Sequence, residues 1–206
     1  MRLPSFALAA ACAVLPTLAA AQNRPVLEPT RDVAVTYRTT GGQRESRIEA
    51  AYLASQRLLR MDLPRQRGWG ILDRRTGKVK VVVEGMNAVV EMPASELAEM
   101  GIPAEPGPNA RFTREGTDRV AGLSCTNWRF EDGNRSGRAC LTADGVLLRG
   151  EGRSPEGRGG VEAVQVTYAP QDPARFRVPS GSQGLQLPRG LPPGLMNGLL
   201  GGGRGG

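Results

Sequence analysis

The sequence predicts a mainly β protein: a curved antiparallel sheet of half-barrel form with one short helix, the alternative being a β-sandwich. Three observations predict it. Apolar and polar residues alternate with the period of two that marks half-buried strands. Turn signals such as Gly41-Gly42, Asp132-Gly133 and Asp144-Gly145 recur at hairpin spacing. Only Pro93 to Met100 has the composition of a helix. About ten short strands in one antiparallel sheet have to curl or close.

The elements follow in order. Val33, Val35 and Tyr37 alternate with Ala34, Thr36 and Arg38 in a first strand, and Ile48, Ala50 and Tyr52 continue the rhythm in a second. Leu58 to Leu63 forms a third, ending at Pro64. Gln56 to Met61 reads locally as helix, but strand signals on both sides decide for a strand. Trp69 to Leu72 and Lys78 to Val83 flank the turn Asp73-Arg74-Arg75-Thr76-Gly77, where the Asp side chain bonds its own backbone. Ala88 to Glu91 is a short strand. The helix at Pro93–Met100 has Pro in its first turn and Gly101 beyond its end, and Gly101 to Ala110 is a connector. Strands then fall at Phe112 to Glu115, Arg119 to Ala121, Ser124 to Phe130, Gly137 to Thr142, Val146 to Gly150 and Val161 to Tyr168. Gly152 to Gly160 reads as a mobile hairpin tip. Phe176 and Val178 are the last anchors.

Residues 1–21 read as a cleavable secretory signal. Arg2 supplies the positive end, Phe6 to Leu18 the apolar stretch, and Ala19 and Ala21 the small residues of a cleavage site before Gln22. The apolar run is shorter than the roughly 20 residues that span a bilayer. Lipoprotein processing at Cys12 is the alternative for this segment, but the apolar run continues well past that cysteine. The expected organisation is a flexible lead over 22–30, one β-rich domain over 31–179, and a disordered Gly/Pro/Leu-rich tail over 180–206. The expected location is the periplasm, without a transmembrane anchor.

Loss of the signal takes the formal net charge from +7 to +6, since Arg2 is its only charged residue. Arginines are scattered and Lys78 and Lys80 are the only lysines. No dense basic block points to nucleic acid. Cys125 and Cys140 remain as an even pair, expected to form a structural disulfide in an oxidising compartment. The chain contains no histidine. Histidine-dependent triads, H-E-x-x-H zinc sites and histidine bases are therefore excluded. A Ser–Lys dyad would need Lys78 or Lys80, which read as a solvated strand face. Glu91, Glu96 and Glu99 cluster, but Glu96 is accounted for by the helix dipole. No enzyme, cofactor or metal site is expected.

Gly122-Leu123-Ser124-Cys125-Thr126-Asn127-Trp128 precedes Ala139-Cys140-Leu141-Thr142-Ala143-Asp144-Gly145-Val146-Leu147-Leu148-Arg149, and Asp172-Pro173-Ala174-Arg175-Phe176-Arg177-Val178-Pro179 follows. Over Arg31 to Pro179 this pattern resembles exported bacterial families of uncharacterised function whose fold is similar to the periplasmic lipoprotein carriers. The resemblance implies a half-barrel of antiparallel strands, lidded by helices, with an apolar cavity that holds acyl chains. The chain departs from that plan in having one short helix for a lid and no residue matching a carrier's functional arginine. The expectation is a periplasmic, non-enzymatic protein that binds an apolar ligand, a lipid or a lipidated partner in the concavity. Trp69, Met86, Met92, Leu97, Met100 and Trp128 are the candidate ligand contacts. The alternative is an envelope interaction module whose core is filled by its own side chains.

Overall fold

Alternating sequence becomes ladder along most of the chain. In the computed structural model, which describes residues 24–40, 46–63, 68–83, 87–95, 106–154 and 157–185, twelve strands form one open, curved sheet. They are β1 (Val33–Thr40), β2 (Arg47–Leu53), β3 (Leu58–Leu63), β4 (Gly68–Asp73), β5 (Lys78–Val83), β6 (Ala88–Pro93), β7 (Arg111–Val120), β8 (Leu123–Asp132), β9 (Arg135–Leu141), β10 (Leu147–Ser154), β11 (Gly157–Thr167) and β12 (Gln183–Leu185). Their order is β12-β6-β5-β4-β3-β2-β1-β11-β10-β9-β8-β7. Two meanders, β2–β6 and β7–β11, thus meet at β1, which pairs with β2 on one side and β11 on the other. All pairs are antiparallel except β12 on β6.

The sheet is single, so the sandwich alternative is set aside. Pro93, expected to open a helix, is the last residue of β6, paired with Lys78. Beyond Pro93, only Ala94 and Ser95 of the expected helix are described, and they have helical backbone; Leu97 and Met100 lie outside the described residues, as does Met86. The two strands expected between Phe112 and Ala121 are one strand, β7, interrupted at Glu115 by a bulge that shifts the register between Arg114 and Gly116. A bulge breaks alternation without breaking the strand, so the polar run there reads as a gap. The expected mobile tip at Gly152–Gly160 is ladder instead: β10 pairs with β11 out to Ser154↔Gly157. A Cβ at Gly160 would lie 2.5 Å from both the Gly150 carbonyl oxygen and Thr40 Oγ1. At Gly160 glycine serves close packing, not mobility.

The described parts of the lead and of the tail also hold more structure than the sequence suggests. The lead is tied to the body. Glu28 bonds Arg57 through Nε at 2.7 Å and Nη2 at 2.6 Å and accepts from the Tyr52 hydroxyl. Arg31 stacks on Tyr168 at 3.7 Å and pairs with Asp144 at 2.8 Å. The T-x-D-G-V turn that carries the resemblance is the saddle for this lead. Thr142 Oγ1 accepts from the Val146 amide (2.9 Å) and donates to Asp144 (2.6 Å), while the Thr30 amide donates to the Asp144 carbonyl at 3.0 Å. Any Cβ at Gly145, held at φ 89°, would lie 2.3 Å from the Glu28 carbonyl oxygen. In the tail, Gln183–Leu185 leave the expected disorder and form β12.

Registers across β2–β6 run without shifts and place apolar residues on both faces. One face carries Tyr52, Leu59, Leu72, Val79 and Met92, and the other carries Leu53, Leu58, Trp69, Ile71 and Val82. The opposite end of the sheet curls. Arg149 of β10 bonds Asp118 of β7 at 2.7 Å, although three strand spacings of a flat sheet would separate them by about 14 Å. Arg149 also pairs with Glu162, and Glu162 with Arg38. Cys125 and Cys140 lie in this curl, bridged between β8 and β9 with 5.3 Å between their Cα atoms. They pack with Val33, Val35, Tyr52, Val120 and Leu148.

Cys125→Ser is expected to lower the stability of the oxidised protein by about 3 kcal/mol, as expected for a loop of this length. Coincident denaturation midpoints for parent and variant would remove the bridge from the list of stabilising contacts. Glu28 gives a pH signature. The Arg57 hydrogen bond, aided by Tyr52 and the Arg74 and Arg57 charges and opposed by burial, holds its carboxyl down at about 2, against an ordinary value of 4.5. A depressed carboxyl stabilises fully above its unfolded value and loses that contribution as pH falls through its folded value. The stability difference between parent and Glu28→Gln is therefore expected to be constant near neutrality and to shrink between pH 4.5 and about 2. A difference independent of pH in acid titration would contradict it.

Candidate functional site

The face of β3–β6 that carries Trp69 is covered by a strap formed from the D-P-x-x-F-x-V-P segment. Asp172 caps a short 3-10 turn, Pro173–Phe176, by accepting from the Ala174 amide at 2.8 Å; Pro173 needs no amide partner at that position. Phe176 is thereby turned inward, 5% exposed, among Ala51, Leu53, Leu58, Trp69, Ile71 and Val82. Two polar anchors hold the strap. Asp32 accepts from the Ala54 amide with one oxygen and the Gln171 amide with the other, both at 2.8 Å. Arg60 donates to the Arg175 carbonyl, bonds Asp62 at 2.7 Å and stacks on Trp69 at 4.1 Å.

The strap stops short of the β4–β5 hairpin and leaves a cleft of about 510 Å³. Its floor is Leu58, Ile71, Phe176 and Val178. Register rows bring its charges together: Ile71 faces Lys80, Lys80 faces Glu91, and Asp73 faces Lys78. Lys78 pairs with Glu91 at 2.8 Å and Lys80 with the same carboxylate at 3.7 Å. The Lys78 hydrogen bond holds Glu91 below the usual carboxylate range, and Glu91 in turn raises Lys78. Burial pushes Asp73 up, but hydrogen bonds from the Arg75 amide and guanidinium bring it below its ordinary value. Arg75 and Arg177 complete the rim. Among the described residues Arg177 has no carboxylate partner, so four cations face two acids over an apolar floor. Such a site offers hydrophobic contact and attraction for an anion, and both carboxylates are already engaged by cations. No group of three or more metal-ligating side chains occurs among the described residues.

The candidate contacts chosen from sequence separate in space. Met92 is 6% exposed and packs with Val79 and Val90 on one face of the sheet. Trp69, 7% exposed, packs under Phe176 on the other. Trp128 lies on β8, beyond β1 in strand order, edge-on to Phe112 at 6.5 Å between centroids. Sequence reasoning missed the rim as a set, although the two lysines sharing one strand face were its visible signal.

No family model and no curated sequence matches this chain. Solved structures do. An uncharacterised conserved protein of Thermus thermophilus aligns at 15% identity with TM-score 0.53, over 76% of this chain and 90% of that one. In the MucA/MucB complex of Pseudomonas aeruginosa, one chain aligns at 16% identity with TM-score 0.44, over 79% of this chain and 62% of that one. An outer membrane lipoprotein-sorting protein domain from Vibrio parahaemolyticus aligns at 9% identity with TM-score 0.34, over 72% and 90%. The first likeness shows a shared fold. The chain is thus an open-sheet β protein with a Cys125–Cys140 disulfide, and it shares its fold with that Thermus protein.

Phe176→Ala is expected to cost about 3–5 kcal/mol, the range for a buried aromatic lost from a core. The loss should appear in the denaturation midpoint. A cost below about 1 kcal/mol would mean that the strap is not part of the core.

Proposed function

We propose that this chain is a periplasmic, non-enzymatic binding protein, exported by its N-terminal signal. Its ligand is apolar with an acidic end: a lipid, or a partner carrying one, lodged in the cleft beside the strap. The single observation that carries this reading is the pairing of an apolar floor, Leu58, Ile71, Phe176 and Val178, with a rim where Arg75, Lys78, Lys80 and Arg177 outnumber Asp73 and Glu91. Apolar contact supplies affinity in such sites, while a few polar groups orient the ligand. The disulfide supports a location outside the cytoplasm. The cleft lies on the Trp69 face, so this reading moves the ligand away from Met92.

A second reading, an envelope interaction module with a filled core, is favoured by the burial of Trp69, Met92 and Trp128, none more than 8% exposed.

Uptake of a fluorescent long-chain fatty acid, compared with the corresponding alcohol, tests the first reading. The double reversal Lys80→Glu/Arg177→Glu is expected to weaken the acid roughly tenfold at low salt, because rim charges act through screened attraction. The alcohol should bind parent and variant alike. Absence of uptake by the parent, together with no co-purifying lipid in native mass spectrometry, would leave the filled-core reading standing.

A further inference from the structure

The two edges of the sheet are protected in different ways. β7 carries Arg111, Arg114, Glu115, Asp118 and Arg119 and a bulge at Glu115, the usual devices against unwanted strand pairing. β6 reads Ala-Val-Val-Glu-Met-Pro, paired with β5 without a bulge and apolar over its first half. That half, Ala88 to Val90, is the part β12 covers.

β12 is held by little beyond its backbone. It has three residues, all exposed, with Leu185 at 40%. The Gln183 amide donates to the Asn87 carbonyl at 2.8 Å, and Asn87 Nδ2 donates to the Gly181 carbonyl at 3.0 Å. Net ladder bonds stabilise by about 0.5–1.5 kcal/mol each, while ordering a residue costs about 1–2 kcal/mol. A three-residue strand that buries no side chain is therefore near balance. The acceptor is not: Ala88, Val90 and Met92 are buried and fix the β6 backbone.

We infer that the β6 edge is a strand-acceptor site for an extended peptide segment of a partner protein, added parallel to β6 in place of β12. The chain's own strand defines the chemistry of the occupant. Leu185 stands opposite Val90, on the face that carries Met92, Val79 and Leu72, so the peptide carries an apolar side chain at the position facing Val90. Main-chain bonds supply its affinity and the contact with Val90 its selectivity. The site is independent of the cleft, which lies on the other face of the sheet.

The test uses the full chain and a fluorescent peptide copying residues 182–187. Gln183→Pro removes the amide that bonds Asn87 and frees the edge without touching the core. The variant is expected to keep the parent melting temperature and to bind the peptide about twofold more tightly, since its own strand, formed in about half the molecules, no longer competes. N-methylation of the peptide at the position matching Gln183 should abolish that gain. Equal affinity for parent and variant, no binding to either, or insensitivity to N-methylation would overturn the proposal. Fatty-acid uptake measured on the same variant should be unchanged, which keeps the outcome separate from that of the cleft.

Discussion

A single sheet has two faces, and in this protein both are apolar. Tyr52, Leu72, Val79 and Met92 point one way, and Leu53, Ile71, Trp69 and Val82 the other. Each such side chain gains about 1.5–3 kcal/mol when it leaves water, yet the described residues supply no helical layer to cover them. The sheet and its irregular flanks do the covering. At one end β7 curls back until Asp118 meets Arg149, enclosing the disulfide. At the other, the strap lays Phe176 over the Trp69 face. Over the central strands, the lead crosses the Thr142–Val146 turn where Gly145 leaves it room.

The cleft follows from this arrangement. A short strap, anchored at Asp32 and Arg60, reaches only part of the face it protects. What it leaves open is bounded by exposed side chains of β4–β6, where charged residues are tolerated because their heads reach water. Apolar floor and cationic rim are thus two sides of one geometric fact: the cover ends before the sheet does.

Elements whose pattern is local were legible. β1 and the β4–β5 hairpin follow directly from alternation and from the Asp73 turn, and the cysteine pair from parity. Other features depended on contacts between distant residues. Gly152–Gly160 has the composition of a loose tip, but its strands pair out to Ser154↔Gly157, and at Gly160 the nearness of Thr40 and of the Gly150 backbone makes glycine a packing requirement. β7 reads as two strands because a bulge interrupts its period. Trp69 and Met92 look equivalent as apolar residues of neighbouring strands, and only the registers Trp69↔Val82 and Val79↔Met92 put them on opposite faces. The cleft joins residues from Leu58 to Val178, so no window of sequence contains it. Its one local trace was Lys78 and Lys80 on a common strand face.

The central place of β1 has a kinetic consequence. Each meander is built from hairpins between neighbours in sequence, and such pairings close short loops quickly. Joining the meanders requires β1 to find β11, with Thr40 opposite Gly160, closing a loop of roughly 120 residues at an entropic cost that precedes any reward. A chain made from its N-terminus presents β1 well before β11. Until that seam closes, β1 has one partner and an open edge, and this interval is when the protein is most exposed to misassembly.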